Sequence, residues 1–476
     1  MIKIDPSKQS NPVQTLFVNS AVLFGIKLFM PLSFFMISVL IARVLGVRAF
    51  GIYATIFSYY ALFRILSCFG VDSFLLREIP RGPSQTRHYL RHAFLIGAAF
   101  SSVNTVLFNA VLFLAGYSEE LRLCGFIVSL ALLPDSLNRY VEASFTAHHK
   151  SWLAFFTVFV REAAKIACAV AALVVYGSLE LAMAAITVSY FIGFFANLAL
   201  LPRVFSGPRP PLERKTFSRM FKVSLWVAFV GGVNSLFLST DVIVLSKMQG
   251  ETAVGFYNAA GKFLVLAFLF IDSFGTALFP FLSRMHHESE ERFKDLTETA
   301  IRWLMAGLFL FIALVFCFSD FWIKLLFGSE FGPSAGLLRV LVWVVLFLGN
   351  SYFLGRVLFI ANAQKYDFAA VAAACLLNGA ASVYCTSRWG AVGTASATLG
   401  SVAFLFFAHW AIFRLKVFKP DTAKVWLVPA AGGAVLFGIF YLFAGWNVYG
   451  AFTAAAAGYA LFLARSGVFK IKGLPV

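Results

Sequence analysis

The chain has 476 residues, of which 60% are hydrophobic and only 13% charged, with a mean hydropathy of +0.84. An average soluble domain carries about 25% charged residues, so this chain lacks the polar surface of a water-soluble enzyme and reads as a polytopic membrane protein. A net charge of +17 would suggest a nucleic-acid partner in a soluble protein. Here the cations sit in short loops between apolar runs, where they act as orientation signals, and no nucleic acid is expected.

A helix needs about 20 mostly apolar residues to cross the hydrocarbon core. In chain order, fourteen runs qualify: 14–43, 50–77, 92–116, 121–146, 151–176, 179–202, 217–247, 253–283, 303–327, 334–362, 366–388, 391–413, 425–444 and 448–465. They lack the ten-residue alternation of membrane barrels, and backbone groups in lipid must be satisfied within each segment. The predicted fold is therefore all-α with 14 transmembrane helices. Residues 1–14 read as a cytoplasmic lead-in without the cleavage pattern of a signal peptide. With that start, loops assigned to the cytoplasm carry 25 Lys and Arg against seven on the other side, which places both termini in the cytoplasm.

Charged residues at membrane depth are functional candidates by default. In the first run Lys27 lies near the middle, and Pro31 predicts a kink. The second run carries Arg64 near its middle and Asp72 further on. Neither Lys27 nor Arg64 has an acid within four residues on its own helix. The fourth run spaces Asp135, Arg139 and Glu142 along one stripe, and the fifth puts Arg161, Glu162 and Lys165 together. Two oppositely patterned stripes can neutralise each other in a structural network; alternatively Arg139, Arg161 or Lys165 faces a cavity. A basic, proline-bearing stretch at 204–216 reads as a cytoplasmic linker between a bundle over 1–203 and another over 217–418. Asp241, Lys262 and Asp272 follow at membrane depth in the second half. The polar stretch at 284–302 mixes both signs at helical spacing, as an interfacial helix does. Arg356 lies near a cytoplasmic end and is expected to snorkel. Residues 419–476 hold two additional helices and a tail. His88 and His92 read as solvated loop histidines. The six cysteines are scattered, so no metal site follows from them, and no cofactor or catalytic constellation is evident.

The sequence also repeats. Gly46-Val47-Arg48-Ala49-Phe50-Gly51-Ile52-Tyr53 recurs 204 residues later as Gly250-Glu251-Thr252-Ala253-Val254-Gly255-Phe256-Tyr257. A weaker echo pairs Gly177, Ala182 and Ala184 with Gly390, Ala395 and Ala397 at an offset of 213. Same-direction repeats predict two six-helix bundles with a substrate cavity between them.

The G-x-x-A-x-G-x-Y pattern, an apolar helix and Leu76-Arg77-Glu78-Ile79-Pro80-Arg81 together resemble the Wzx-type polysaccharide flippases. So does Asp241 followed by Gly250 and Gly255-Phe256-Tyr257-Asn258-Ala259-Ala260-Gly261-Lys262. That family belongs to the multidrug/oligosaccharidyl-lipid/polysaccharide exporter superfamily, and the likeness covers all fourteen runs in count and order. It implies a MATE-like arrangement and transfer of an undecaprenyl-pyrophosphate-linked oligosaccharide to the outer leaflet of a bacterial inner membrane. It also implies alternating access coupled to H+ or Na+, and a polysaccharide polymerase and chain-length proteins as partners.

By that resemblance Lys27 and Arg64 border the cavity, joined by Lys262, as donors to a pyrophosphate; the structural alternative pairs Lys27 or Lys262 with Asp72, Asp241 or Asp272. Arg139, Arg161 and Lys165 become candidate sugar or phosphate contacts. Asp241, Asp272 and Asp72 become candidates for ion or proton coupling. Two rivals stand beside this reading: a drug or cation antiporter of the same fold, for which the cation-rich cavity argues poorly, and a membrane scaffold that moves nothing.

Overall fold

The computed structural model describes residues 12–205, 211–445, 447–466 and 468, with the side chains of residues 12–24, 27, 28 and 203 outside that description. Among the described residues every regular element is a helix. The first unit, Met1–Ser235, contains α1 (Pro12–Cys68), α2 (Val71–Glu78), α3 (Thr86–Leu114), α4 (Glu119–Ser129), α5 (Leu132–Ala147), α6 (Ser151–Tyr176) and α7 (Leu179–Val204). It also includes the start of α8 (Arg214–Glu288). The second unit, Leu236–Val476, takes the rest of α8 with α9 (Glu290–Cys317), α10 (Ser319–Phe327), α11 (Ser334–Leu341) and α12 (Val344–Ile360). It ends with α13 (Gln364–Lys416), α14 (Val428–Phe443) and α15 (Val448–Arg465).

Caps mark where helices start. Ser118, Ser178 and Ser289 accept from the amides of Leu121, Leu181 and Arg292, and Asn447 accepts from Tyr449 and Gly450, satisfying donors that a first turn leaves open. The repeat is written into the backbone. Gly46 (φ 79°, ψ −174°) and Gly250 (φ 80°, ψ −178°) break α1 and α8 in one conformation, in a region essentially restricted to glycine. Gly177 (φ 59°, ψ 28°) and Gly390 (φ 57°, ψ −139°) both have positive φ but differ in ψ. His149 and Asn362, also 213 residues apart, are both left-handed with φ 57°, a third marker that carries no glycine signature.

Eight helices are long and apolar enough to cross a membrane among the described residues. Three of the long helices, α1, α8 and α13 at 57, 75 and 53 residues, contain the breaks at Gly46, Gly250 and Gly390. The run expected at 121–146 is two helices, α4 and α5, and the stretch at 284–302 is helical on both sides of Ser289. Exposed apolar side chains such as Leu114, Val175 and Phe195 line the helices as a lipid-facing surface does.

The division at Ser235/Leu236 falls inside α8, beyond the linker expected at 204–216. The cause is local docking within the first unit. His92 on α3 is 1% exposed; its Nδ1 donates to the His88 carbonyl at 2.8 Å and its Nε2 accepts from the Glu213 amide at 2.9 Å. Arg219 reaches Glu78 at 2.5 Å, and Phe221 stacks on Phe69. His88 and His92 are therefore not solvated loop residues: they sit on α3 and fasten the start of α8. In the second unit α14 lies on α9, with Gly433 against Phe309, and Tyr459 of α15 donates to the Ala306 carbonyl at 3.0 Å.

Candidate functional site

In the first unit the charges expected along α5 and α6 meet across four helices. Asp135, Arg139 and Glu142 each turn to a different partner. Asp135 Oδ2 lies 3.8 Å from Arg64 Nε and accepts from Tyr60 at 3.3 Å. Arg139 Nη1 lies 3.4 Å from Asp72 Oδ2. Glu142 Oε1 accepts from Arg161 Nη1 at 2.6 Å.

Deeper in the same unit, Glu162 is shared by Arg161 at 3.4 Å and Lys165 at 2.5 Å, and it accepts from the Ser33 hydroxyl of α1. Lys165 Nζ also stands 4.2 Å from the Phe34 ring centroid, a favourable seat for a desolvated cation. Gly193 on α7 leaves the space that the Arg161 stem fills. Arg161 and Lys165 are 1% and 0% exposed, so both cations are engaged by carboxylates away from any open surface.

Arg64 differs. Its side chain is 29% exposed, its nearest carboxylate is 3.8 Å away, and its buried Nε has no hydrogen-bond partner. Of the arginines Arg64, Arg139, Arg161 and Arg356 it is the most loosely held. Lys27 lies on α1 of this unit, with its side chain outside the described residues.

The second unit holds a cavity of about 350 Å³ that brings Asp241 and Lys262 to one place, together with Tyr257, Asn258 and Thr398. Its remaining wall is apolar, with Phe237 and Phe268 among the lining residues. Asp241 Oδ2 accepts from the Tyr257 hydroxyl at 2.5 Å, and its Oδ1 accepts from the Val242 amide at 2.8 Å. Thr398 Oγ1 is 3.2 Å from the same Tyr257 hydroxyl. Asn258 contributes a buried Nδ2 without a hydrogen-bond partner. A carboxylate held by hydroxyls and an amide, beside a side-chain amide and a lysine, can bind a small cation or a proton. Tyr257 and Asn258 lie in the motif that carries the family resemblance but had no role in the expected site, and no signal in the sequence picks out Thr398.

Asp272 lies elsewhere. It binds Arg356 Nη2 at 2.6 Å and Tyr352 at 2.7 Å. Arg356, expected to snorkel to the interface, instead reaches across to the Asp272 carboxylate on α8. Asp72 is likewise engaged by an arginine, Arg139. No cluster of three or more His, Cys, Asp or Glu suited to a metal ion occurs among the described residues.

A family model described as polysaccharide biosynthesis protein matches residues 16–286, and one described as Lipid II flippase MurJ matches residues 166–463. Capsular polysaccharide biosynthesis protein CapF of Staphylococcus aureus is 24% identical over 156 residues, 32% of this chain and 39% of CapF. Among solved structures, Lipid II flippase MurJ in an inward closed conformation superposes with a TM-score of 0.76 at 14% identity, covering 95% of this chain and 98% of MurJ. An inward-facing multidrug resistance MATE family transporter gives 0.65 at 13% identity, covering 83% and 97%. At these identities the superpositions establish a shared fold, whereas the family models each span more than half of the sequence. The chain is thus a multi-pass membrane protein that belongs to the polysaccharide biosynthesis family, and it shares its fold with MurJ and a MATE family transporter.

Proposed function

We propose that this protein moves an undecaprenyl-pyrophosphate-linked oligosaccharide from the cytoplasmic to the outer leaflet of a bacterial inner membrane by alternating access. In this reading fourteen helices span the bilayer, both termini are cytoplasmic, and the breaks at Gly46, Gly250 and Gly390 divide long helices into pairs of spans. The observation that carries the substrate assignment is Arg64, a partly exposed guanidinium only loosely matched by Asp135. A guanidinium offers several donors in a planar fork, and a pyrophosphate presents oxygens that such a fork accommodates. Lys27, which precedes the break at Gly46, is the second cation proposed for this anion, while Lys262 lines the cavity of the second unit. Arg139, Arg161 and Lys165 are assigned to internal ion pairs.

Asp241 is the preferred coupling carboxylate of the three candidates, since its partners are neutral donors while Asp72 and Asp272 face arginines. The coupling ion, H+ or Na+, would exchange at Asp241 with Tyr257 and Thr398 beside it.

The test is transbilayer movement of an undecaprenyl-pyrophosphate oligosaccharide in proteoliposomes, with a fluorescent drug cation followed in parallel. Crossing of the glycolipid should depend on the protein and fall at least tenfold in Arg64→Ala at equal reconstitution. Asp241→Asn should keep glycolipid binding while removing the response to an imposed ion gradient. Unchanged crossing in Arg64→Ala would remove that residue from the site. Movement of the drug alone would replace the substrate assignment with that of an antiporter.

A further inference from the structure

In each unit an arginine pairs with an aspartate, and the two pairs meet at neighbouring positions of the repeat. In the first unit Arg139 of α5 approaches two residues: Cys68 Sγ at 3.9 Å and Asp72 Oδ2 at 3.4 Å. In the second unit Arg356 of α12 approaches Asp272 Oδ1 at 2.6 Å and Thr276 Oγ1 at 3.1 Å. The offset of 204 that superposes the glycine motifs also superposes Cys68 on Asp272 and Asp72 on Thr276. The same two positions, four residues apart, therefore meet an arginine in each half, and the carboxylate has changed places between them.

The arginines themselves are displaced by one helical turn. The offset of 213 that relates the left-handed residues His149 and Asn362 aligns Arg139 with Tyr352, and Arg356 stands four residues on. Tyr352 keeps a role at the site: its hydroxyl donates to Asp272 Oδ1 at 2.7 Å and accepts from Arg356 Nη2 at 3.0 Å. Gly275 leaves the room this needs, since a Cβ there would lie 2.8 Å from Arg356 Nη1.

Partly exposed ion pairs contribute little to stability, and an apolar pair would hold two helices together as well. What a charge pair adds is a fixed register and direction. We propose that Arg139 and Arg356 are positioning residues for transport. Each clamps the fourth long segment of its half to the segment after the repeated glycine, and each clamp requires one carboxylate that can stand at either of the two positions. The proposal rests on the flippase reading for its transport readout only.

Four variants test it in the proteoliposome assay. Asp72→Asn and Asp272→Asn should each lower glycolipid crossing at least fivefold. Moving the acid, with Cys68→Asp/Asp72→Cys in one half and Asp272→Thr/Thr276→Asp in the other, should restore at least half of the wild-type rate. Relocated variants no better than the Asn variants, against an active wild type, would overturn the proposal. A double-mutant cycle in melting temperature, with Arg139→Ala and Asp72→Asn singly and together, is independent of transport. Non-additive shifts support the clamp, and additive shifts overturn it. A wild type that moves no glycolipid would sink the flippase reading and leave that cycle to decide the clamp.

Discussion

The two units treat charge at membrane depth differently. In the first, Arg64, Arg139 and Arg161 face Asp135, Asp72 and Glu142 through ion pairs that cross between helices, and Glu162 holds Arg161 and Lys165 within α6. Its most buried members are fully enclosed. In the second, Asp272 and Arg356 pair with Tyr352 bound to both, while Asp241 and Lys262 line a cavity with hydroxyl and amide neighbours. Removing charges from water is expensive, and mutual attraction offsets the cost only where the geometry is closed. The first unit therefore gains one defined packing from its network, and the second keeps Asp241 among neutral donors at a cavity.

This contrast is broken most severely at Glu162. Replacing it with Ala removes the carboxylate that holds Lys165 in the interior and leaves Arg161 to Glu142, and losing one partner of a buried pair costs roughly 3–5 kcal/mol. Glu162→Ala should therefore unfold or mislocalise the protein in detergent melting and membrane-insertion assays. Asp241→Asn, whose carboxylate is held by neutral donors, should shift the melting temperature far less. Equal losses in the two variants would show that both acids are structural.

A second comparison sharpens the repeat. Gly46→Ala and Gly250→Ala should each cost about 1–3 kcal/mol, because both hold a backbone conformation that a Cβ opposes. Nothing lies within 4 Å of a Cβ built at Gly250, so there backbone strain is the whole effect. If Gly250→Ala melts like the wild type, that break carries no strain.

The smallest effect concerns the C-terminal end of α5. Burial, with Lys150 and His149 nearby, pushes the His148 imidazole below its ordinary value, which is about 6.5. The folded chain thus binds fewer protons than the unfolded chain, so stability is present above about pH 6.5 and is lost as the pH falls toward the depressed value. Between pH 7.5 and 5.5 the melting temperature of wild type should drop slightly more than that of His148→Gln. Identical slopes would count against a contribution from His148.

Much of the architecture was legible in the residues. Apolar runs mark helices because lipid leaves the backbone no other partner, and Gly46 and Gly250 mark breaks because other residues are strained there. The His149 and Asn362 correspondence was invisible, since neither is glycine. The stripe of Asp135, Arg139 and Glu142 was visible as a stripe, but its three partners lie on α1, α2 and α6. Arg356 gave no sign of meeting Asp272, 84 positions earlier. His88 and His92 looked like loop residues because docking of Glu213 and Thr216 on α3 is a long-range event.

The sequence by itself determined that the chain is a helical membrane protein, that it is built by repetition, and which ionisable side chains sit at membrane depth. These follow from local rules of length, hydropathy and backbone sterics. The tertiary structure decided which of those charges neutralise each other, which one stays loosely held at Arg64, and where Asp241 finds a cavity. Ion pairing and cavity formation depend on distances between helices far apart in the chain, and no local pattern of residues encodes them.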